Sequence, residues 1–165
     1  MGNVSKNYDV EELVHPAIVQ RYGRDRAAFA LKKYAPHLVE GQQRLREFVG
    51  SACVVNDYHW SKEYKDGGWD AIKRNEILRK RLFINSGWRD FANPFRRNLS
   101  AHYALCATDT KQGKYTPQDL QQMILDSPYE FPNVIRMEDA GKTRGWLHIQ
   151  YGHRSPGQLI EVFKP

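Results

Sequence analysis

Apolar residues recur at three- and four-residue spacing through the first fifty positions of the chain. They are Val10, Leu13, Val14, Ala17 and Ile18, then Leu38, Leu45, Phe48 and Val49. At 3.6 residues per turn such positions share one helix face. The pattern predicts helices over Val10 to Tyr22, Arg26 to Tyr34 and Pro36 to Val49. Pro16 falls inside the first of these. Its ring crowds the preceding turn and it has no N–H to donate, so a break is expected near His15. Pro36 suits a first helical turn, and Gly50 suits a C-terminal stop.

Beyond residue 50 the apolar runs shorten. Ala52 to Val55 reads as a strand, with turn chemistry at Asn56-Asp57 and Gly67-Gly68 on either side of the aromatic pair His59-Trp60. Arg81 to Asn85 reads as a further strand before Ser86-Gly87, and Cys106 to Asp109 as extended chain. Thr116-Pro117-Gln118-Asp119 is a helix start: the Thr hydroxyl caps, Pro takes the first position and Asp the third. That helix should reach about Asp126 and stop before Pro128. Val134 to Met137, Trp146 to Gln150 and Leu159 to Phe163 read as closing strands, with turns at Gly141 and Pro156-Gly157. Helices first, then strands with one inserted helix, predict an α+β fold of N-terminal helices packed on a mainly antiparallel sheet. The 165 residues suit one domain, with residues 1–35 as its helical N-terminal extension.

Composition narrows the classes. At 41% hydrophobic and 27% charged, the chain can bury a core and is not disordered throughout. No apolar run nears the roughly 20 residues that span a bilayer, so no membrane insertion is expected. Met1 to Asp9 is polar and lacks the apolar stretch of a signal peptide, which implies synthesis in a cytoplasm and export by another route. Cys53 and Cys106 form no Cys-x-x-Cys, which excludes a thiolate zinc site, and their apolar neighbours mark them as buried thiols. The net charge of +6 favours a polyanion: nucleic acid, acidic membrane or an anionic cell wall. Its Lys and Arg residues are spread along the chain with no nucleic-acid-binding motif, so no specific nucleic-acid partner is expected.

The residues that carry chemistry lie late. Ser100-x-His102 is followed by Ala107-x-Asp109, and Trp146-Leu147-His148-Ile149-Gln150 lies about forty residues on. Two imidazoles and one carboxylate are the three-ligand set of a catalytic zinc, with a fourth position for water. His102 and Asp109 are seven residues apart. On one helix they would be about two turns apart, too far to share an ion; on a strand–loop–strand path they converge. Alternation along a strand puts Trp146, His148 and Gln150 on one face and Leu147 and Ile149 on the other. The expected metal ligands are His102, Asp109 and His148, and the expected ion is Zn2+.

At these residues the chain resembles the zinc D-alanyl-D-alanine carboxypeptidase family, which includes phage endolysin peptidases and shares its fold with the hedgehog signalling domain. The family pattern is Ser-x-His-x-x-Gly-x-Ala-x-Asp followed by a late His on a strand. Ser100, His102, Ala107 and Asp109 match it, and His148 fills the late position. Asn85-Ser86-Gly87-Trp88-Arg89 resembles the Ser-Gly-aromatic-Arg segment that precedes the first ligand. Asn56-Asp57-Tyr58-His59-Trp60 with Gly67-Gly68, and Arg136-Met137-Glu138-Asp139 with Gly145-Trp146-Leu147-His148, resemble segments of small phage members. The resemblance runs from about Pro36 to Gln150. It implies a hedgehog-type fold and a zinc metallopeptidase that degrades bacterial peptidoglycan. Either a D,D-carboxypeptidase or an L-Ala-D-Glu type endopeptidase fits, and cross-bridge bonds are also served by the family; no oligomeric state is implied. The setting would be that of a bacteriophage endolysin, released from the host cytoplasm to the periplasm and cell wall, or a virion-associated protein. Two positions depart from the pattern. Leu105 replaces the family glycine, and Gly145 stands where many members carry an acidic residue or His. They motivate an alternative, a non-catalytic zinc-binding virion or binding protein of the same fold.

Other polar residues have candidate roles. Glu138 is the candidate general base, with Asp139 as its rival and an acidic turn pair before Gly141 as the plainer reading. Arg89 would hold an oxyanion or a substrate carboxylate, or pair with Asp90 or Glu138. Ser100 would contact substrate or orient His102. His59 is a candidate substrate-binding residue of the cleft. Trp60, Trp69 and Trp88 are assigned to core or cleft wall, and His15, His37 and His153 to the surface.

Overall fold

A computed structural model describes residues 3–81, 102, 106–143 and 145–164 of the chain. Its N-terminal part follows the apolar period. Helix α1 (Val10–Leu13) opens on a capping box in which Asp9 and Glu12 each accept the other's backbone N–H. The chain then breaks at Val14-His15, as Pro16 demands, and α2 (Pro16–Tyr22) begins with that proline. Helix α3 (Arg24–Tyr34) starts just after Gly23, two residues before the expected Arg26. Helix α4 (Pro36–Val49) ends at Gly50, whose φ of 66° is the left-handed stop that glycine adopts without strain.

His15 corrects an expectation. It is buried rather than on the surface, because its Nδ1 accepts the Ala17 N–H at 3.2 Å as the cap of α2. Its ring also packs edge-on against Trp69 at 4.9 Å between centroids. His37 is half-buried and His153 exposed.

After strand β1 (Cys53–Val54) and a 3-10 turn (Tyr58–Trp60) comes a helix the apolar pattern does not announce, α5 (Lys62–Lys73). Gly67-Gly68 therefore lies inside a helix rather than in a turn. The pair kinks it, with Gly68 at φ 59° and ψ −155°. Helix α6 (Glu76–Arg81) places Arg81 at a helix end, not at the start of a strand; residues 82–85 of that expected strand lie outside the described residues. Trp60 is exposed and Trp69 packs on a small cluster around Tyr58 and Ile72.

The remaining elements are β2 (Ala107–Gln112), α7 (Pro117–Asp126), β3 (Val134–Glu138), β4 (Leu147–Tyr151) and β5 (Glu161–Phe163). Thr116 and Asp119 cap α7 reciprocally, as the sequence implies. The five strands form one sheet in the order β1-β2-β4-β3-β5. Every pairing is antiparallel except β3 with β5, which is parallel. The molecule is thus α+β with a mainly antiparallel sheet. One core joins Val10, Leu13, Ile18 and Leu31 to Met137, Leu147 and Ile149, so the first three helices share their core with the sheet.

The sheet is two-faced, and that fact positions the site. Leu147, Ile149 and Tyr151 of β4 and Thr108 and Thr110 of β2 are all buried. Gln42, buried in α4, reaches this face: its Nε2 donates to Thr110 Oγ1 at 2.7 Å and to Tyr151 Oη at 2.8 Å, and its Oε1 accepts from Tyr8 Oη at 3.2 Å. Strand alternation then sends Asp109, His148 and Gln150 to the opposite face.

Candidate metal centre

Two registers build a row of functional side chains across that opposite face. Asp109 of β2 is paired with His148 of β4. On the other side of β4, Arg136 pairs with Gln150 and Met137 with Ile149, so the next step sets Glu138 across from His148. Glu138 in turn pairs with Phe163 of β5. Asp109, His148, Glu138 and Phe163 thus lie side by side, each from a different strand.

His102 completes the group from outside the sheet. Its Nε2 lies 3.3 Å from Asp109 Oδ2, and His148 Nδ1 lies 2.7 Å from Asp109 Oδ1. The imidazoles stack edge-on at 5.0 Å between centroids. One ligand atom from each of His102, Asp109 and His148 falls within 4.8 Å of the others. Ligands about 2.0–2.2 Å from a tetrahedral zinc are themselves about 3.3–3.6 Å apart, so the observed separations need only small adjustments to admit an ion. The donor set fits as well: two imidazole nitrogens and one carboxylate oxygen, with His102 buried and the other two nearly so.

The electrostatics favour a ready ligand. Burial pushes the Asp109 carboxyl up, but hydrogen bonds from His102 and His148 outweigh it and hold the group well below the usual carboxylate range. The carboxylate is therefore charged at neutral pH, as a metal ligand must be. Gln150 lies 3.2 Å from His148 Nε2, the ring nitrogen turned away from Asp109. A half-turn of its carboxamide offers that nitrogen an acceptor oxygen, the arrangement that fixes a ligating imidazole's tautomer.

Glu138 feels the same charges. Burial raises its pKa, Asp109 adds to the rise and His148 opposes it. Asp139 serves the backbone instead, where its Oδ1 accepts the Gly141 N–H at 2.9 Å and closes the turn after β3. Gly145, where an acidic residue stands in many members of the resembled family, has φ 87°. That left-handed backbone suits glycine and disfavours any side chain.

His59 keeps other company. Its ring lies between Tyr58 and Trp60, at 5.7 and 4.8 Å, and the charges that act on it are those of Asp9, Arg24 and Lys65. Burial lowers its pKa to about 4, so it is neutral at pH 7. The structure does not gather it with His102, Asp109 and His148. Arg89, Ser100 and Leu105 lie outside the described residues. Cys53 is buried, its thiol pushed up to about 12 by desolvation, and neither cysteine is in a disulfide.

Arg136, Gln150 and Phe163 belong to this face and have no role assignable from sequence alone. A signal is present for two of them: Gln150 alternates with His148, and Arg136 alternates with Glu138. No helix among the described residues is long and apolar enough to cross a membrane. No family model, curated protein or solved structure matches the chain.

Proposed function

We propose that this chain is a zinc-dependent peptidase of the D-alanyl-D-alanine carboxypeptidase type, with the hedgehog-type fold, that cuts a peptide bond in the stem of bacterial peptidoglycan. The observation that carries the reading is the convergence of His102, Asp109 and His148 into one buried group. These residues would hold the ion, His102 and His148 through ring nitrogens and Asp109 through a carboxylate oxygen. When bound, zinc supplies Lewis acidity, lowering the pKa of a water to about 7 and polarising the scissile carbonyl. Glu138 stands in the same sheet row with a raised pKa. Its carboxylate takes a proton from the attacking water and delivers it to the leaving nitrogen. Gln150 orients His148. Arg89, from the segment that resembles the family's Ser-Gly-aromatic-Arg stretch, is the proposed donor to the developing oxyanion. The basic chain suits an anionic wall, and the biological setting that goes with the reading is a phage endolysin or a virion-associated enzyme.

A second reading keeps the metal and drops the chemistry. It is favoured by Gly145, which leaves no acid at the position the resembled family uses. One experiment separates the two: zinc content by mass spectrometry together with amine release from purified muropeptides. One zinc per chain with cleavage supports the peptidase. One zinc without cleavage favours a binding protein, and a chain that takes up no zinc sinks both.

A further inference from the structure

Helix α3 turns Ala27, Ala28 and Leu31 into the core and leaves Arg26, Phe29, Lys32 and Lys33 exposed. Those four fall at three- and four-residue spacing, so they share its outer side. Phe29 is 61% exposed there, and Tyr34 at the helix end is 63% exposed. One lysine serves both rings: Lys33 Nζ lies 5.5 Å from the Phe29 centroid and 5.4 Å from that of Tyr34. The helix is basic as well as aromatic. Asp25 is its one acid. Arg24 commits its guanidinium to Asp9 and Glu11, at 2.8 and 2.5 Å. Arg26, Lys32 and Lys33 enter no ion pair among the described residues. Three cations and two rings thus stand together at the surface.

We propose that the outer side of α3 seats the protein on an anionic phospholipid bilayer, as a contact that lies on the membrane and does not cross it. Charge complementarity selects the partner: Arg26, Lys32 and Lys33 are drawn to negative headgroups. The rings select it further. Phe29 enters the boundary between headgroups and acyl chains, and Tyr34 rests at headgroup level with its hydroxyl in water. A nucleic-acid strand calls instead for a groove with rings spaced for stacked bases. The side of α3 is convex, and its two rings share a single lysine. The place of α3 in the fold suits a bilayer contact. Helix α3 packs on α4, α4 packs on β4, and Gln42 of α4 reaches the inner face of the sheet. A bilayer against α3 therefore lies on the helical side of the sheet, and the His102–Asp109–His148 group on the opposite face stays uncovered. No residue of the metal centre takes part, so the inference does not rest on the peptidase reading.

The test is co-sedimentation of the zinc-loaded full chain with vesicles, either phosphatidylglycerol and phosphatidylcholine in equal parts or phosphatidylcholine alone. Wild type should partition onto the anionic vesicles at least about tenfold more strongly than onto the neutral ones. Raising salt from about 0.1 M to about 1 M should release it, as the Debye length falls from about 10 Å to about 3 Å. The triple variant Arg26→Gln, Lys32→Gln, Lys33→Gln should lose about a hundredfold in partition, at about fivefold per cation. The triple variant Lys62→Gln, Lys65→Gln, Lys142→Gln removes the same charge from exposed positions elsewhere and should lose at most about threefold. Phe29→Ala keeps the cations and should lose about tenfold. All these side chains are exposed, so melting temperatures should stay at the wild-type value. In Phe29→Trp, the emission added over wild type should shift to the blue on anionic vesicles and be quenched by brominated lipid. Equal losses in the two triple variants, equal binding to neutral vesicles, or an added emission that brominated lipid leaves unquenched overturns the proposal. Binding to a single-stranded oligonucleotide with none to anionic vesicles overturns it in favour of a nucleic-acid face. Asp109→Asn, which removes a zinc ligand, should partition as wild type does; a weaker partition would place the contact at the metal face and overturn the proposal as well.

Discussion

Asp109 and His148 face each other directly across the β2–β4 ladder, with His148 Nδ1 2.7 Å from Asp109 Oδ1. The pairing is a property of register. The buried threonines on either side of Asp109 answer to Gln42 of α4, so a one-residue slip would turn Asp109 into the core and lose the site outright.

Asp109→Asn should abolish stoichiometric zinc uptake, measured by mass spectrometry or by competition with a chromophoric chelator. The same variant should change acid stability. In the zinc-free wild type the folded-state pKa of Asp109 is depressed below its unfolded value, which is about 3.9. Its contribution is therefore fully present above that value and is lost as pH falls from there toward the folded pKa. Denaturation midpoints of zinc-free protein between about pH 5 and pH 2 should fall more steeply for wild type than for Asp109→Asn. Parallel curves would show that the hydrogen bonds from His102 and His148 carry no linkage.

Glu138→Gln should keep zinc and lose turnover by a factor of about 10²–10⁴, the usual contribution of a positioned base. Any acid limb of kcat/KM that Glu138 carries should vanish from the residual activity of the variant. The sign for stability is opposite to that of Asp109. A carboxyl whose folded pKa is raised destabilises the fold as pH rises through the interval between its unfolded and folded values. In the zinc-free chain at neutral pH, then, Glu138→Gln should melt no lower than wild type. A lower melting temperature together with lost zinc would mean that Glu138 holds the site together rather than acting as its base.

The parts of this architecture that are legible in the sequence are those where one period dominates. Pro36 to Val49 and Thr116 to Asp126 each carry an apolar stripe between unambiguous end residues, and both are helices with the bounds and caps the sequence implies. The alternation Leu147-His148-Ile149-Gln150 marks a polar face on β4. Helix α5 escapes the pattern because it buries only Ile72, with Tyr64 and Trp69 partly covered, and because its Gly67-Gly68 pair mimics a turn. The burial of His15 escapes it because a cap is made by geometry that no hydropathy pattern records. Arg136 shows the same limit in the site. Its strand position is legible, but its place beside His148 depends on which strands are neighbours, and the order β2-β4-β3-β5 reverses the sequence order of β3 and β4.

Gly145→Asp puts an acid where the resembled family has one, and it should not help. The backbone there has φ 87°, and a Cβ would meet nothing within 4 Å. Strain is then the whole effect, at about 1–2 kcal/mol for a side chain forced into the left-handed region. Thermal melts should show the loss, with kcat/KM no higher than wild type. A gain in activity would transfer the base role from Glu138 to position 145.

Gly41→Ala tests how tightly α4 seats the strand that carries His148. By intrinsic preference the change should stabilise a helix interior by about 1 kcal/mol. Here the added methyl would overlap the Cδ1 and Cε1 atoms of Tyr151, the last residue of β4. Tyr151 is buried and accepts a hydrogen bond from Gln42 Nε2 at 2.8 Å, so its ring has no open side to move toward. Overpacking of a filled core costs about 1–3 kcal/mol, which exceeds the helical gain. The expected outcome is a lower melting temperature with weaker zinc affinity, because displacing β4 from α4 also shifts His148 against Asp109. Isothermal titration of zinc into the variant reads the second effect separately. A variant that melts lower but binds zinc with wild-type affinity would show that the β2–β4 pairing holds the ligands without support from α4.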